Sequence, residues 1–326
     1  MTSTELKKIF NSFKDKKVLI VGDAMIDAYM WGTINRMSPE APVPVVDIEK
    51  YEIRLGGAAN CALNIKELGA EPILCSVLGK DSNGQKFQNL MKNSNLPEHG
   101  LVFSHERKTT VKTRVISEGK HQLRIDEEDR HPSQIEELFL KNTLNLLNDV
   151  NVIILQDYNK GVLTKSIISK LILEAKEKGI PTIVDPKKNN FLEFKNCDIF
   201  KPNLKEIKEG MKIDFNEKIE NELEIATSKL RMALNAKAIL LTLSSDGICI
   251  NSGDSFIHTP AYGGAVVDVS GAGDTVISVA ALLLSEDVSY EDISKISCLS
   301  GGIVCQKVGV VPIKKEELLN KALEII

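Results

Sequence analysis

The chain has 326 residues, 43% of them hydrophobic, and a formal net charge of -4. That length gives one large α/β domain or two small ones a sizeable core, and the mild acidity, without a basic run or an aromatic-interleaved Lys/Arg stripe, argues against a nucleic-acid partner. The opening MTSTELKKIFNSFKDKK has no apolar signal core and no run reaches the roughly 18 apolar residues of a membrane span, so a cytoplasmic chain without a membrane partner is expected.

In chain order, residues 17–21 (KVLIV) read as the first buried strand. Residues 23–55 follow with period-two apolar patterning, three prolines and several aromatics, and 72–78 return to a buried strand. Residues 109–125 read as a hairpin turning near Glu118-Gly119, which with 23–55 would make a small separate sheet. Beyond it, strands at 152–155, 181–184, 198–201 and 238–243 alternate with helical spacing over 133–148, 164–178 and 220–234, and a last helix is expected over 292–306. Such alternation predicts a mostly parallel sheet with helices on both faces, binding its ligands at the carboxyl ends of the strands. Gly22-Asp23, Asp157, Asp185 and Asn203 each follow a strand. The six cysteines lie in apolar segments with no C-x-x-C pair or metal-ligand spacing, and read as buried free thiols.

The stretch Asp268-Val269-Ser270-Gly271-Ala272-Gly273-Asp274, running into the apolar helical pattern 275–284, carries the most chemistry. Glycines let the backbone approach a ligand closely, and the following helix turns unpaired N–H groups and its positive dipole end toward it, which suits an anion. Asp274 falls in the first turn, where a carboxylate stays ionised and can take a proton from a hydroxyl. In isolation the same residues also read as an ordinary turn with an N-cap aspartate. No G-x-x-x-x-G-K-[ST] loop and no strand-linked G-x-G-x-x-G occurs, which disfavours a Walker-type ATPase and a Rossmann dehydrogenase.

The Asp, two variable residues, then Gly-Ala-Gly-Asp at 268–274, together with Gly56-Gly57-Ala58-Ala59-Asn60 near the N-terminal third, resemble the two signatures of the ribokinase/phosphofructokinase-B sugar kinases. The resemblance implies a ribokinase-like three-layer α/β/α sandwich, with segments 23–55 and 109–125 inserted as a small β-sheet lid in a single kinase domain spanning 1–326. It implies Asp274 as catalytic base, with Gly271, Ala272 and Gly273 as the anion turn. Asn203 and Glu206 match the N-x-x-E motif that organises Mg²⁺ beside ATP, and Thr242 and Gly247 match the strand-to-turn segment at the nucleotide; Asn203-Leu204-Lys205-Glu206 alone also reads as a helix start, and Asp246-Gly247 as a hairpin turn. Asp23, Asp27, Gly56, Gly57 and Asn60 fall at the sugar side, and Asp268 in a segment where relatives hold a monovalent cation, here K⁺.

The string Ser38-Pro39-Glu40-Ala41-Pro42-Val43-Pro44-Val45 resembles the heptose-7-phosphate kinases that feed ADP-heptose synthesis, as do Asp157-Tyr158-Asn159-Lys160-Gly161 and Asp185-Pro186-Lys187. The implied activity is ATP-dependent phosphorylation of D-glycero-D-manno-heptose 7-phosphate at its anomeric hydroxyl, in lipopolysaccharide core precursor synthesis. Lys112, Arg114, Arg124, Lys160 and Lys187 are the cations from which a sugar-phosphate pocket could be built. Ala28 departs from the larger polar residue expected beside Asp27. The resemblance also implies a homodimer through the lid strands, and since no H-x-G-H nucleotidyltransferase motif follows, a separate adenylyltransferase in the pathway. Another sugar or nucleoside kinase of the family stays open as a reading, as does a sugar-binding regulator, which has less use for a base at the phosphoryl position.

Overall fold

In the run Lys17-Val18-Leu19-Ile20-Val21 successive side chains point to opposite faces, and both faces are apolar. Val18 and Ile20 enter one core, Leu19 and Val21 the other. A strand that is apolar on both sides must be covered on both sides, and this produces three layers. The computed structural model describes residues 1–131 and 135–325. Among these residues the strands are, in chain order, β1 (Lys17–Gly22), β2 (Ala24–Met37), β3 (Pro44–Gly57), β4 (Glu71–Gly79), β5 (Leu101–Ser104), β6 (Val111–Ser117), β7 (Lys120–Glu127), β8 (Val152–Gln156), β9 (Thr182–Asp185), β10 (Ile199–Phe200), β11 (Ala238–Thr242), β12 (Ile248–Asn251) and β13 (Phe256–Thr259).

Nine strands form one sheet in the order β13-β12-β11-β10-β9-β8-β1-β4-β5. Pairing is parallel from β5 through β11 and antiparallel for β11–β12 and β12–β13. One face is covered by helices that include Ser3–Ser12, Ala58–Glu67, Ala272–Leu284 and Tyr290–Val304, the other by Glu136–Asn145, Lys165–Glu177 and Glu220–Leu234. The mostly parallel, doubly covered sheet expected from the sequence is therefore present. The expected helix 133–148 begins outside the described residues; its described part is Glu136–Asn145 followed by a 3₁₀ turn, Leu146–Asp149. The expected strand 198–201 contracts to β10; at its ends the Asp198 carboxylate accepts hydrogen bonds from the N–H and hydroxyl of Thr182, and Lys201 turns its ammonium to Asp185.

The second sheet has the order β3-β2-β6-β7. It joins the two segments that break the main alternation, with β6 and β7 meeting at Glu118 and Gly119, both at positive φ as a tight hairpin requires. β1 reaches β2 through Gly22, whose position admits no side chain: an added Cβ would lie 1.9 Å from the Gln156 carbonyl oxygen. That contact pulls the end of β8 against the end of β1, where the polar residues of both collect. No helix among the described residues is long and apolar enough to cross a membrane.

Candidate active site

Asp274 lies in the first turn of helix Ala272–Leu284, behind an N-cap glycine, Gly271, held at φ 80°. That left-handed conformation explains the glycine, and a Cβ there would also press on Asn60 Nδ2 at 3.0 Å. The Asp274 side chain is almost fully buried and surrounded by donors. Its Oδ2 accepts from Asn60 Nδ2 at 2.7 Å, and its Oδ1 accepts from the Tyr158 hydroxyl at 2.7 Å and from Gln156 Nε2 at 3.1 Å. Burial pushes the carboxyl up to about 6; the Asn60 and Tyr158 hydrogen bonds pull it back, Asp185 adds to the rise and Lys201 opposes it. Such a carboxylate is ionised at neutral pH and still basic enough to accept a proton. Burial, and then the Asp274 charge, push the Tyr158 hydroxyl well above its ordinary range, so it remains a donor.

The turn in front of Asp274 offers an anion a place. The N–H groups of Gly273 and Asp274 have no protein acceptor among the described residues, whereas that of Ala272 is directed to the Val269 carbonyl at 3.3 Å. Two of these three N–H groups are thus open. Behind Gly273 sits a buried ion pair, Lys201 Nζ to Asp185 Oδ2 at 2.9 Å, with side chains 4% and 8% exposed. A Cβ on Gly273 would come within 3.7 Å of that ammonium.

Residues expected on the sugar side divide. Asp23 is buried, and its carboxylate accepts from the backbone N–H groups of Tyr158, Lys160 and Val162 at 2.8, 3.0 and 3.0 Å. Three of the roughly four acceptor sites of Asp23 thus clamp turn 157–162, which carries Tyr158 to Asp274. Asp27 remains, paired to Arg114 Nη1 at 2.6 Å. Gly56 permits that carboxylate to lie against the backbone, since a Cβ would meet Asp27 Oδ2 at 2.2 Å, and Gly57 at φ 60° brings its own backbone to Asp23. Lys112 is half-buried on β6 in register with Asp27, while Lys160 is buried and paired with Glu128. Arg124 is exposed and held by Asp126.

Lys187 departs from the sugar-phosphate group. It pairs with Glu206 and lies over the Tyr158 ring at 5.7 Å. Glu206 itself closes a capping box on helix Leu204–Met211: its Oε2 accepts from the Asn203 N–H while Asn203 Oδ1 accepts from the Glu206 N–H. The helix-start reading of N-x-x-E is therefore present as a capping box. Thr242 lies beside Asn203 through its N–H bond to the Pro202 carbonyl. Gly247, at φ 93°, faces the Thr259 carbonyl oxygen 2.1 Å from a would-be Cβ, so close packing against β13 accounts for that glycine. Asp268 ties the anion turn to a later loop, accepting from Ser270 N–H and Gly309 N–H at 2.9 and 3.0 Å. Burial works against its ionisation, but these N–H groups hold the carboxyl below its ordinary range.

The sequence pattern of the pfkB family carbohydrate kinases matches residues 15–316. The chain belongs to the pfkB family of carbohydrate kinases. The bifunctional protein HldE of Syntrophotalea carbinolica is 34% identical over 322 residues, covering 98% of this chain and 65% of that protein. HldE of Desulfatibacillum aliphaticivorans is 37% identical over 309 residues, covering 94% and 63%. The chain thus spans just under two thirds of these relatives. Among solved structures, phosphofructokinase-2 of Escherichia coli in complex with potassium superposes with a TM-score of 0.78 at 17% identity, covering 95% of this chain and 98% of that one. Ribokinase of Arabidopsis thaliana with ribose and ATP gives 0.74 at 18% identity, covering 95% and 98%. The pfkB assignment makes ATP-dependent phosphorylation of a carbohydrate the chemistry of this fold.

Three contributors to this pfkB site, Gln156, Tyr158 and Lys201, were not singled out from the sequence as site residues, whereas Asp185 stood out as a strand-end carboxylate. Gln156 bonds both Asp274 and Asp185, and Lys201 neutralises Asp185 beneath the anion turn. Each follows or ends a strand of the main sheet, which is the one signal that could have found them.

Proposed function

We propose that this chain transfers the γ-phosphoryl group of ATP to the anomeric hydroxyl of D-glycero-D-manno-heptose 7-phosphate. The observation that carries the catalytic part is Asp274, buried among Asn60, Tyr158 and Gln156 at the edge of a turn with two open N–H donors. Three donors leave the carboxylate one of its roughly four lone-pair sites, which is room for a substrate hydroxyl. Asp274 takes the hydroxyl proton, the sugar oxygen bonds to the γ-phosphorus, and the bond to the bridging oxygen of the departing ADP breaks. Gly273 and Asp274 N–H groups, with Lys201 behind them, meet the charge on the transferring group. The heptose part rests on the similarity to the HldE proteins along nearly the whole chain and on the cations near the small sheet.

No group of three or more His, Cys, Asp or Glu among the described residues could hold a metal ion by itself. This suits Mg²⁺ arriving with ATP, since Mg²⁺ keeps several waters and takes few protein carboxylates. Glu206 and Asn203 are the residues that would hold it, and the Lys187 ammonium already seated on Glu206 marks a position that favours a cation. Bound there, Mg²⁺ would neutralise charge on the nucleotide phosphates; Thr242 and Gly247 would border the nucleotide. Asp268 would hold K⁺ beside the anion turn. The small sheet would act as a lid that excludes water, with Asp27 and Asn60 orienting the sugar.

A homodimer through the lid strands fits the apolar side chains that this sheet leaves exposed, Ile48, Tyr51, Leu123 and Ile125. Sedimentation should find a dimer at micromolar concentration, and a monomer would remove this part of the reading. Substrate identity is tested by ADP release across heptose 7-phosphates, unphosphorylated heptose, hexoses, hexose phosphates and nucleosides. Heptose 7-phosphate should exceed unphosphorylated heptose in kcat/KM by about 10²-fold or more, because a site built for a charged group leaves its own partners unpaired when that group is missing. Equal values would favour a general sugar kinase.

A further inference from the structure

Three cations of unequal satisfaction gather where the small sheet meets turn 157–162. Arg107 is 6% exposed; its Nη2 donates to the Lys160 carbonyl at 2.7 Å, but its Nε and Nη1 have no partner. Lys160 is 7% exposed, and its ammonium meets Glu128 Oε2 at 2.5 Å. Lys112, half-buried on β6, has no ion pair among the described residues. Desolvation, and then the neighbouring Lys160, push the Lys112 ammonium down, with Asp126 and Glu128 opposing. Buried donors without acceptors and like charges held close are both unfavourable, and an anion of more than one charge relieves both.

Glu128 supplies part of that relief. It directly follows β7, is shared between Lys160 and Arg130, and carries one negative charge where a phosphate monoester would carry nearly two and three acceptor oxygens. The location fits a sugar phosphate. Lys160 stands two residues beyond Tyr158, which bonds Asp274, and the Asp23 carboxylate fixes both residues by their N–H groups. Two residues span at most about 7 Å of backbone. One turn, held by Asp23, therefore carries both a partner of the base and one of the cations.

We propose that Lys112, Lys160 and Arg107 form the subsite for the phosphate ester of the sugar, and that Glu128 stands in for that phosphate until the substrate displaces it. The inference rests on the sugar-phosphate kinase reading and adds Arg107 and Glu128 to it. Lys112→Gln is the informative variant because that side chain is half-buried and unpaired, so the fold should tolerate the change. It should raise KM for heptose 7-phosphate about tenfold or more with kcat and KM for ATP unchanged, and weaken the binding of inorganic phosphate in calorimetry. Arg107→Lys should weaken phosphate binding in the same direction. Glu128→Gln should do the opposite, lowering KM for the sugar phosphate and tightening inorganic phosphate several-fold. If Lys112→Gln leaves both phosphate affinity and sugar-phosphate KM unchanged, or Glu128→Gln raises that KM, the subsite is wrong even where the wild type prefers phosphorylated heptose. A wild type indifferent to the phosphate ester, but losing inorganic phosphate on Lys112→Gln, would instead overturn the substrate reading and leave the anion subsite standing.

Discussion

Asp274→Asn is expected to lower kcat by about 10²- to 10⁴-fold, the usual cost of losing a general base, while ATP binding persists. The same variant should be at least as stable as the wild type at pH 7. In the folded chain burial pushes the Asp274 carboxyl up to about 6, against an ordinary 3.8. Between those values the native state holds a proton that the unfolded chain has already released. Stability from this group is therefore fully present below about pH 4 and is lost as pH rises toward 6. An amide does not titrate and escapes that loss. Asn60 has an unpartnered amide oxygen, Oδ1, and a flip of that amide lets it accept from the new side chain. In the wild type, the requirement for ionised Asp274 should give kcat/KM an acid limb near pH 6. Near-wild-type turnover in the variant would remove Asp274 from the mechanism; a large fall in stability at pH 7 would show that its hydrogen bonds outweigh the burial of its charge.

Lys201→Met carries the largest expected effect on stability. Lys201 and Asp185 are both buried and lie 2.9 Å apart, so removing the ammonium leaves a buried carboxylate without its direct partner, with only the charge of Lys187 nearby. Breaking a buried pair from one side costs about 3–5 kcal/mol, far more than the pair gains over two well-packed apolar residues. Asp185 keeps only a 3.2 Å hydrogen bond from Gln156 Nε2 at that oxygen. Adding Asp185→Asn to Lys201→Met should therefore recover part of the loss. Because Lys201 also restrains the rise of the Asp274 carboxyl, the acid limb of the single variant should move to higher pH. Urea denaturation measures the first effect and a pH–rate profile the second. A single variant within about 1 kcal/mol of wild type would mean that water reaches Asp185, and the burial argument would fail.

The long elements were readable because their patterns repeat. KVLIV, residues 152–155 and residues 238–243 are apolar on consecutive positions, and helix Glu220–Leu234 matches its expected bounds. β5, β12 and β13, at four residues each, are too short to display a period and went unseen. Asp274 was legible because two glycines and a helix start announce it locally. For Asp23 the sequence showed only a position after β1 on the sugar side; the folded turn 157–162 adds three backbone N–H groups that bind its carboxylate. Lys187 likewise looked like a free cation until Glu206, brought beside it by the start of helix Leu204–Met211, took it up. What sequence could not supply was pairing. Charge and position along a strand are local facts, whereas the partner that satisfies a buried charge comes from another strand end.

Phosphorus NMR of the wild-type chain with ATP and D-glycero-D-manno-heptose 7-phosphate tests the central claim most directly. As ADP forms, a new phosphate signal coupled to the anomeric proton should grow while the 7-phosphate signal persists, giving the 1,7-bisphosphate. ADP and inorganic phosphate without that signal, or a new phosphate at any other carbon, would contradict the account.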